Sequence, residues 1–254
     1  MSYEFRVACE LHSTERLRAV LADGLDVRAP IEGKPAITWL TEMYTRSDRF
    51  AACLRFLLEQ GAVADDPVTL PVLLNDPEAL RQMAAITPAC LQHRATMTCA
   101  FTPLTGVSLL HVAAEFGHVE VAGALIALGA DANDLADVDG HGLGGHTPLF
   151  HTVNAHVNRS APVMRLLLDA GAAADARVAG LVWGRGFEWE TALFDLTPLS
   201  YAQLGQLPQM HRDERDIAGT VRALLAAAGR PVPPMPNVPN RYLRERDGSA
   251  HSSS

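Results

Sequence analysis

The sequence predicts an all-α fold: short helix pairs stacked into a solenoid, with one long insertion of hairpin character. Three observations carry that prediction. Residues 106–133 hold two apolar segments at helical spacing, each too short to stand alone. Glycines close comparable segments at intervals along the chain. The 254 residues are 48% hydrophobic but only 6% aromatic, a mix that suits close packing of small-residue helices better than a β-sandwich.

The clearest unit runs from Gly106 to Asn133. Leu110, Ala113 and Ala114 share one face of a first helix over Leu109 to Glu115, which Gly117 closes. Val121, Ala122, Leu125 and Ile126 form the apolar side of a second helix over Val119 to Leu128, closed by Gly129. Helices of this length gain stability only by stacking on neighbours, which is the logic of a repeat array. The closing position recurs at Gly24, Gly61, Gly171 and Gly229. The separation of Gly61 and Gly129 is about two periods of roughly 33 residues; the longer separations imply inserted loops.

The unit at 106–133 resembles an ankyrin repeat. The residues that carry the resemblance are Gly106, Ser108, Leu110, His111, Ala113, Ala114, Gly117, His118, Gly129, Ala130, Asp131 and Asn133, with Leu109 where the family has proline. Thr147, Pro148 and Leu149 open another copy and Thr197, Pro198 and Leu199 a third. Ala8 to Gly24 aligns on Ala113 to Gly129 with His12 at the turn glycine; Gly33 to Gly61 is a weaker copy and Leu70 to Thr98 the weakest. About six repeats over residues 1–231 follow, with a Pro-rich tail at 232–254 whose composition predicts disorder. The resemblance implies that His111 and His118 are structural, His111 bonding to Ser108, and that Ala113 and Ala114 let repeats approach closely.

Insertions in such arrays form loops, often on one face. Residues 131–146 form an acidic finger carrying Asp134, Asp137 and Asp139. A calcium loop is not expected there because Leu135 and His146 stand where acids are required, and the finger reads as a solvated acidic loop or an acidic patch for a basic partner. Residues 176–196 form the longest finger, with β-prone runs at 180–183 and 187–193 around Gly184, Arg185 and Gly186. It concentrates Trp183, Phe187 and Trp189 beside Arg185, the residue types of interface hot spots, although the same rings serve equally well as a cover for the core. The segment 208–216 reads as a charged loop between the helices of the last repeat.

Charge and motifs bound the function. A net charge of -8 argues against nucleic acid and for a neutral or basic partner. A single lysine, Lys34, among many arginines points to a GC-rich, bacterial genome. Cys9, Cys53, Cys90 and Cys99 match no zinc or redox spacing and are expected to be buried thiols. His141, His146, His151 and His156 recur every five residues, off the three-or-four spacing of a helical metal pair. With no phosphate loop, nucleophile elbow or dinucleotide fingerprint, the expectation is no enzyme, no cofactor and no metal. The absence of an apolar run of membrane-spanning length, and of a basic-then-apolar start, makes the cytoplasm the default location and a membrane no partner.

The resemblance implies a protein-binding groove lined by exposed positions of the first helices. Mapped repeat by repeat these are Val7 and Glu10, then Trp39, Glu42 and Met43, then Val112, Glu115 and Phe116, then His151 and Asn154, then Tyr201 and Leu204, flanked by the finger residues above. The functional expectation is a bacterial protein, monomeric when unbound, that acts as an inhibitor or immunity protein against a basic toxin, effector or hydrolase. The alternatives are a translocated host-targeting adaptor or an intracellular scaffold.

Overall fold

The computed structural model describes residues 2–203 and 214–232. They contain six helix pairs: α1 (Ser2–Glu10) and α2 (Thr14–Ala22), α3 (Ala36–Glu42) and α4 (Phe50–Glu59), α5 (Leu70–Leu73) and α6 (Pro77–Ile86), α7 (Leu109–Phe116) and α8 (Val119–Ala127), α9 (Pro148–Val153) and α10 (Ala161–Asp169), α11 (Pro198–Gln203) and α12 (Glu214–Ala227). Among first helices, α1 packs on α3, α5 on α7, α7 on α9 and α9 on α11; among second helices, α2 packs on α4, α6 on α8 and α8 on α10. The core therefore runs as one cluster from Phe5 to Leu225. None of the described helices is long and apolar enough to cross a membrane.

Local chemistry explains the boundaries. Gly117 caps α7 in the left-handed conformation with φ 68°, and the closing glycines all have positive φ, from 65° at Gly229 to 100° at Gly24. His12 takes the same turn in the first pair with φ 45° and Asn75 in the third with φ 50°, so the turn is kept without glycine at both. Asp76 caps α6 by accepting from Ala79 N at 2.9 Å, and Pro77 starts it.

The third pair is the irregular one. A 3-10 turn over Pro67–Thr69 leads into α5, which is a single turn of four residues. The second and fourth pairs touch directly beside it: the rings of Phe50 and Phe116 lie 4.7 Å apart, and Arg46 reaches Glu115.

Among the described residues, strands occur in two places, where only the long finger was expected to form a hairpin. β1 (Ala95–Met97) pairs antiparallel with β2 (Leu104–Val107) ahead of α7, and β3 (Val178–Trp183) pairs antiparallel with β4 (Thr191–Leu196) between α10 and α11. Val138 and Gly144 add an isolated bridge within 131–146. The second strand of the long finger starts at Thr191 and not at Phe187. Phe187 N bonds Gly184 O and Glu190 N bonds Phe187 O, so 184–190 is a turn, with the Phe187 and Trp189 rings stacked 4.7 Å apart.

The loops between pairs are knitted together. Asp137 N bonds Thr105 O at 3.2 Å, Gly144 N bonds Gly180 O at 2.8 Å and Gly184 N bonds Phe101 O at 3.0 Å. Gly144 and Gly180 permit this approach: a Cβ on either would lie 2.2 Å from a carbonyl oxygen, of Asp137 and Leu193 respectively. Of the expected charged loop 208–216, only the start of α12 is described, and the tail from 233 lies outside the described residues, as does Leu204.

Candidate functional site

The residues expected to line a groove are instead mostly interior. Trp39, Glu42, Val112, Glu115, Phe116, His151, Asn154 and Tyr201 are all buried, and Met43 is half-buried. The expected exposure was therefore incorrect for this set, and each has a physical reason. Trp39 bonds Ile31 O at 2.8 Å and lies under Lys34, whose Nζ is 4.5 Å from the ring centroid and 2.8 Å from Glu42. Val112 is fully enclosed, and Phe116 is covered by Phe50 and by the Arg46 guanidinium at 4.5 Å. Tyr201 is sealed by its hydroxyl bond to Thr102 at 2.8 Å, and Asn154, at the end of α9, is 2% exposed.

Glu115 anchors a buried polar network. Arg46 Nη2 donates to Oε1 at 2.9 Å and Cys99 Sγ donates to the same oxygen at 3.2 Å, while His151 Nδ1 donates to Oε2 at 3.0 Å. Beyond it, His146 Nε2 lies 3.2 Å from His151 Nε2 and donates to Pro103 O at 3.0 Å; His111 Nε2 donates to His146 O at 3.0 Å. Ser108 N and Oγ meet His111 Nδ1 at 3.2 and 2.8 Å, the bond the repeat pattern implies. His118 donates to Leu73 O at 3.1 Å, tying α8 to α5.

Burial sets the proton chemistry of this network. It pushes the His111 pKa down to about 3 and that of His118 to about 4, and drives His146 well below its ordinary value, the neighbouring histidines adding to the effect on His111 and His146. Burial alone would raise Glu115, but the His151 hydrogen bond and the Arg46 charge outweigh it and hold the carboxylate below its usual range. Burial and the Glu115 charge push the Cys99 thiol up, the reverse of an activated nucleophile. Most of the donors and acceptors join one pair to another, although Arg46 Nε and His146 Nδ1 are buried without a partner, and Arg46, Cys99, Glu115 and the four histidines are all shielded from solvent. All four cysteines are free and buried. Among the described residues, no cluster of three or more His, Cys, Asp or Glu side chains is placed to hold a metal ion.

The finger residues divide. Trp183 is 7% exposed and stacks on Phe101 at 5.9 Å, so it belongs to the packed layer. Trp189 is 46% exposed, Arg185 is exposed and Phe187 is half-buried at the turn. The acidic finger is less free than expected. Arg94 grips Asp134 with two bonds of 2.8 Å, and Arg185 binds Asp139 at 2.7 Å, holding that carboxyl down at a pKa of about 2. Both arginines come from outside the acidic segment, which is why the segment's own composition overstated its charge. Asp137 stays exposed, its carboxyl lying over Gly106.

Exposed apolar residues missed from sequence complete this surface: Phe194 at 68%, Val138 at 59% and Leu135 at 58%. Phe194 pairs with Gly180, Gly180 bonds Gly144, and Gly144 bridges to Val138, so they fall in one row across the knitted loops. Ala192, Leu193 and Phe194 run consecutively, so 191–196 lacks the apolar–polar alternation that would have marked Phe194 as exposed.

The comparison with known families agrees with the helical frame. The ankyrin-repeat family model matches residues 105–137, which span β2, α7, α8 and the start of the acidic finger. The chain thus carries an ankyrin repeat, consistent with an ankyrin-repeat protein, and ankyrin repeats in general mediate binding to other proteins. No curated protein matches the chain.

Proposed function

We propose that residues 1–231 form one ankyrin-repeat solenoid and that the protein, a cytoplasmic monomer when unbound, acts by binding and not by catalysis. Its partner is a basic protein, which it inhibits in the manner of an immunity protein. The observation that carries the reading is the exposed apolar row on the knitted loops, Phe194 and Val138, with Trp189 at the adjoining turn. Exposed aromatics on a rigid loop layer are what a protein interface uses as anchors. The net charge of -8 supplies the steering for a basic partner. The Glu115 network supports binding over catalysis, since its side chains are sealed from solvent and joined to one another.

The test is affinity isolation of the tagged chain from cells of the encoding organism, compared with a Trp189→Ala, Phe194→Ala double variant and read by mass spectrometry. The expected result is a stoichiometric basic protein retained by the parent and lost by the variant, with inhibition of that protein's activity by the parent alone. Equal retention by both would remove the loop surface from the interface.

A further inference from the structure

A second surface feature lies away from the finger tips, where α3, the loop after α4 and β1 meet. A cavity of about 140 Å³ opens there, roughly ten times the ~10–15 Å³ that one water needs, so it is large enough to admit a side chain. Ile37 and Leu73 are buried and form its apolar floor with Met97. Thr38 and Thr98 contribute hydroxyls, and Asp65 and Asp66 contribute carboxylates. The two acids are not equivalent. Asp66 is committed, accepting from Val68 N at 3.2 Å and binding His93 Nε2 at 2.6 Å. Asp65 is exposed and receives only the Thr38 hydroxyl at 3.4 Å. Among the described residues it has no cationic partner, whereas Asp134, Asp139, Asp195, Glu42 and Glu115 each have an arginine or lysine.

We propose that this cavity receives one basic side chain, an arginine or lysine presented by a protein partner. The alkyl stem lies along Ile37, Leu73 and Met97, and the cationic head meets the Asp65 carboxylate and the Thr38 hydroxyl. An apolar floor below a single unpaired carboxylate matches the two-part character of such a side chain. A neutral polar group would leave the carboxylate unpaired, and an anion would be repelled. The proposal rests on the reading of the chain as a binder of basic proteins and adds where one basic residue enters.

The test uses the whole chain and two probes, Nα-acetyl-arginine methylamide and its neutral citrulline counterpart, followed by methyl NMR at Ile37, Thr38 and Met97. The expected result is saturable shifts at these methyls with the arginine probe and binding about fivefold weaker with citrulline, the contribution of one partly exposed ion pair. Asp65→Asn should weaken the arginine probe by a similar factor. Glu59→Gln, the same charge change at an exposed site outside the cavity, should not. No saturable shift at these methyls, or equal binding of the two probes, overturns the proposal. So does an Asp65→Asn protein that keeps its spectrum and binds the arginine probe as the parent does. The titration reads the cavity alone, so its failure leaves the finger-tip test standing.

Discussion

Arg46 Nη2 stands 2.9 Å from Glu115 Oε1, with the two side chains 2% and 4% exposed and 69 residues apart in the chain. In a regular array each repeat touches only its neighbours. Here the loop after α3 meets α7, two pairs along, beside the single-turn α5. The contact joins the second and fourth pairs directly, beside the one-turn first helix of the third.

Removing Arg46 leaves a buried carboxylate with only His151 and Cys99 as donors. Arg46→Met is expected to cost about 3–5 kcal/mol, the penalty for an uncompensated buried charge. Urea unfolding measures it. In a double-mutant cycle with Glu115→Gln the two costs should fall short of additivity by about 1 kcal/mol or more. Additive costs would show that the pair is not coupled.

Acid should unfold the protein early. Burial lowers His12 and His111 to about 3 and His118 to about 4, with His146 shifted in the same direction. A base whose folded pKa lies below its unfolded value binds fewer protons when folded. Stability is therefore full above the unfolded value near 6.5 and is lost as pH falls toward 3 to 4. Each such histidine contributes roughly 1 kcal/mol of loss between about pH 7.5 and about pH 5.5. A urea midpoint constant across that window would mean that these rings do not stay neutral in the folded state.

The helical frame was legible because its signals are local. The Leu110, Ala113, Ala114 face, the Gly117 cap and the closing glycines each depend on a few adjacent residues, and helix ends fell within about a residue of expectation for α7 and α8. Exposure was not local. Trp39 and Phe116 occupy first-helix positions assigned to an open face, but burial there depends on how closely the pairs beside a one-turn helix approach, and no residue near Phe116 announces Arg46 or Phe50. The β1–β2 pairing was missed because strands of three and four residues carry too little alternation to read. The acidic finger was misjudged for a similar reason: Arg94 and Arg185 come to it from 40 and 46 residues away.

Ala113 is fully buried between α7 and its neighbours. Ala113→Leu adds three carbons where no space exists and should cost about 1–3 kcal/mol through overpacking. A melting temperature equal to the parent's would place Ala113 elsewhere than between stacked pairs.

The two finger tryptophans are expected to separate stability from binding. Trp183 is 7% exposed and stacks on Phe101 with the ring planes 20° apart, so Trp183→Ala removes a ring from the packed layer and should cost about 3–5 kcal/mol. Part of that cost is offset because the Trp183 indole nitrogen is buried without an acceptor, a desolvation penalty that the alanine removes. Trp189 is 46% exposed and rests on Phe187 and against Gly184, so Trp189→Ala should change stability by less than about 1 kcal/mol. Against the protein partner the order reverses: Trp189→Ala weakens binding by about 2 kcal/mol or more if its ring is an anchor. Conservative Trp183→Phe keeps the stack on Phe101 and should leave binding near the parent value. Urea unfolding and partner titration of the three variants separate the two roles. A Trp189→Ala protein as unstable as Trp183→Ala would make the exposed ring a structural cover and move the interface away from the finger turn.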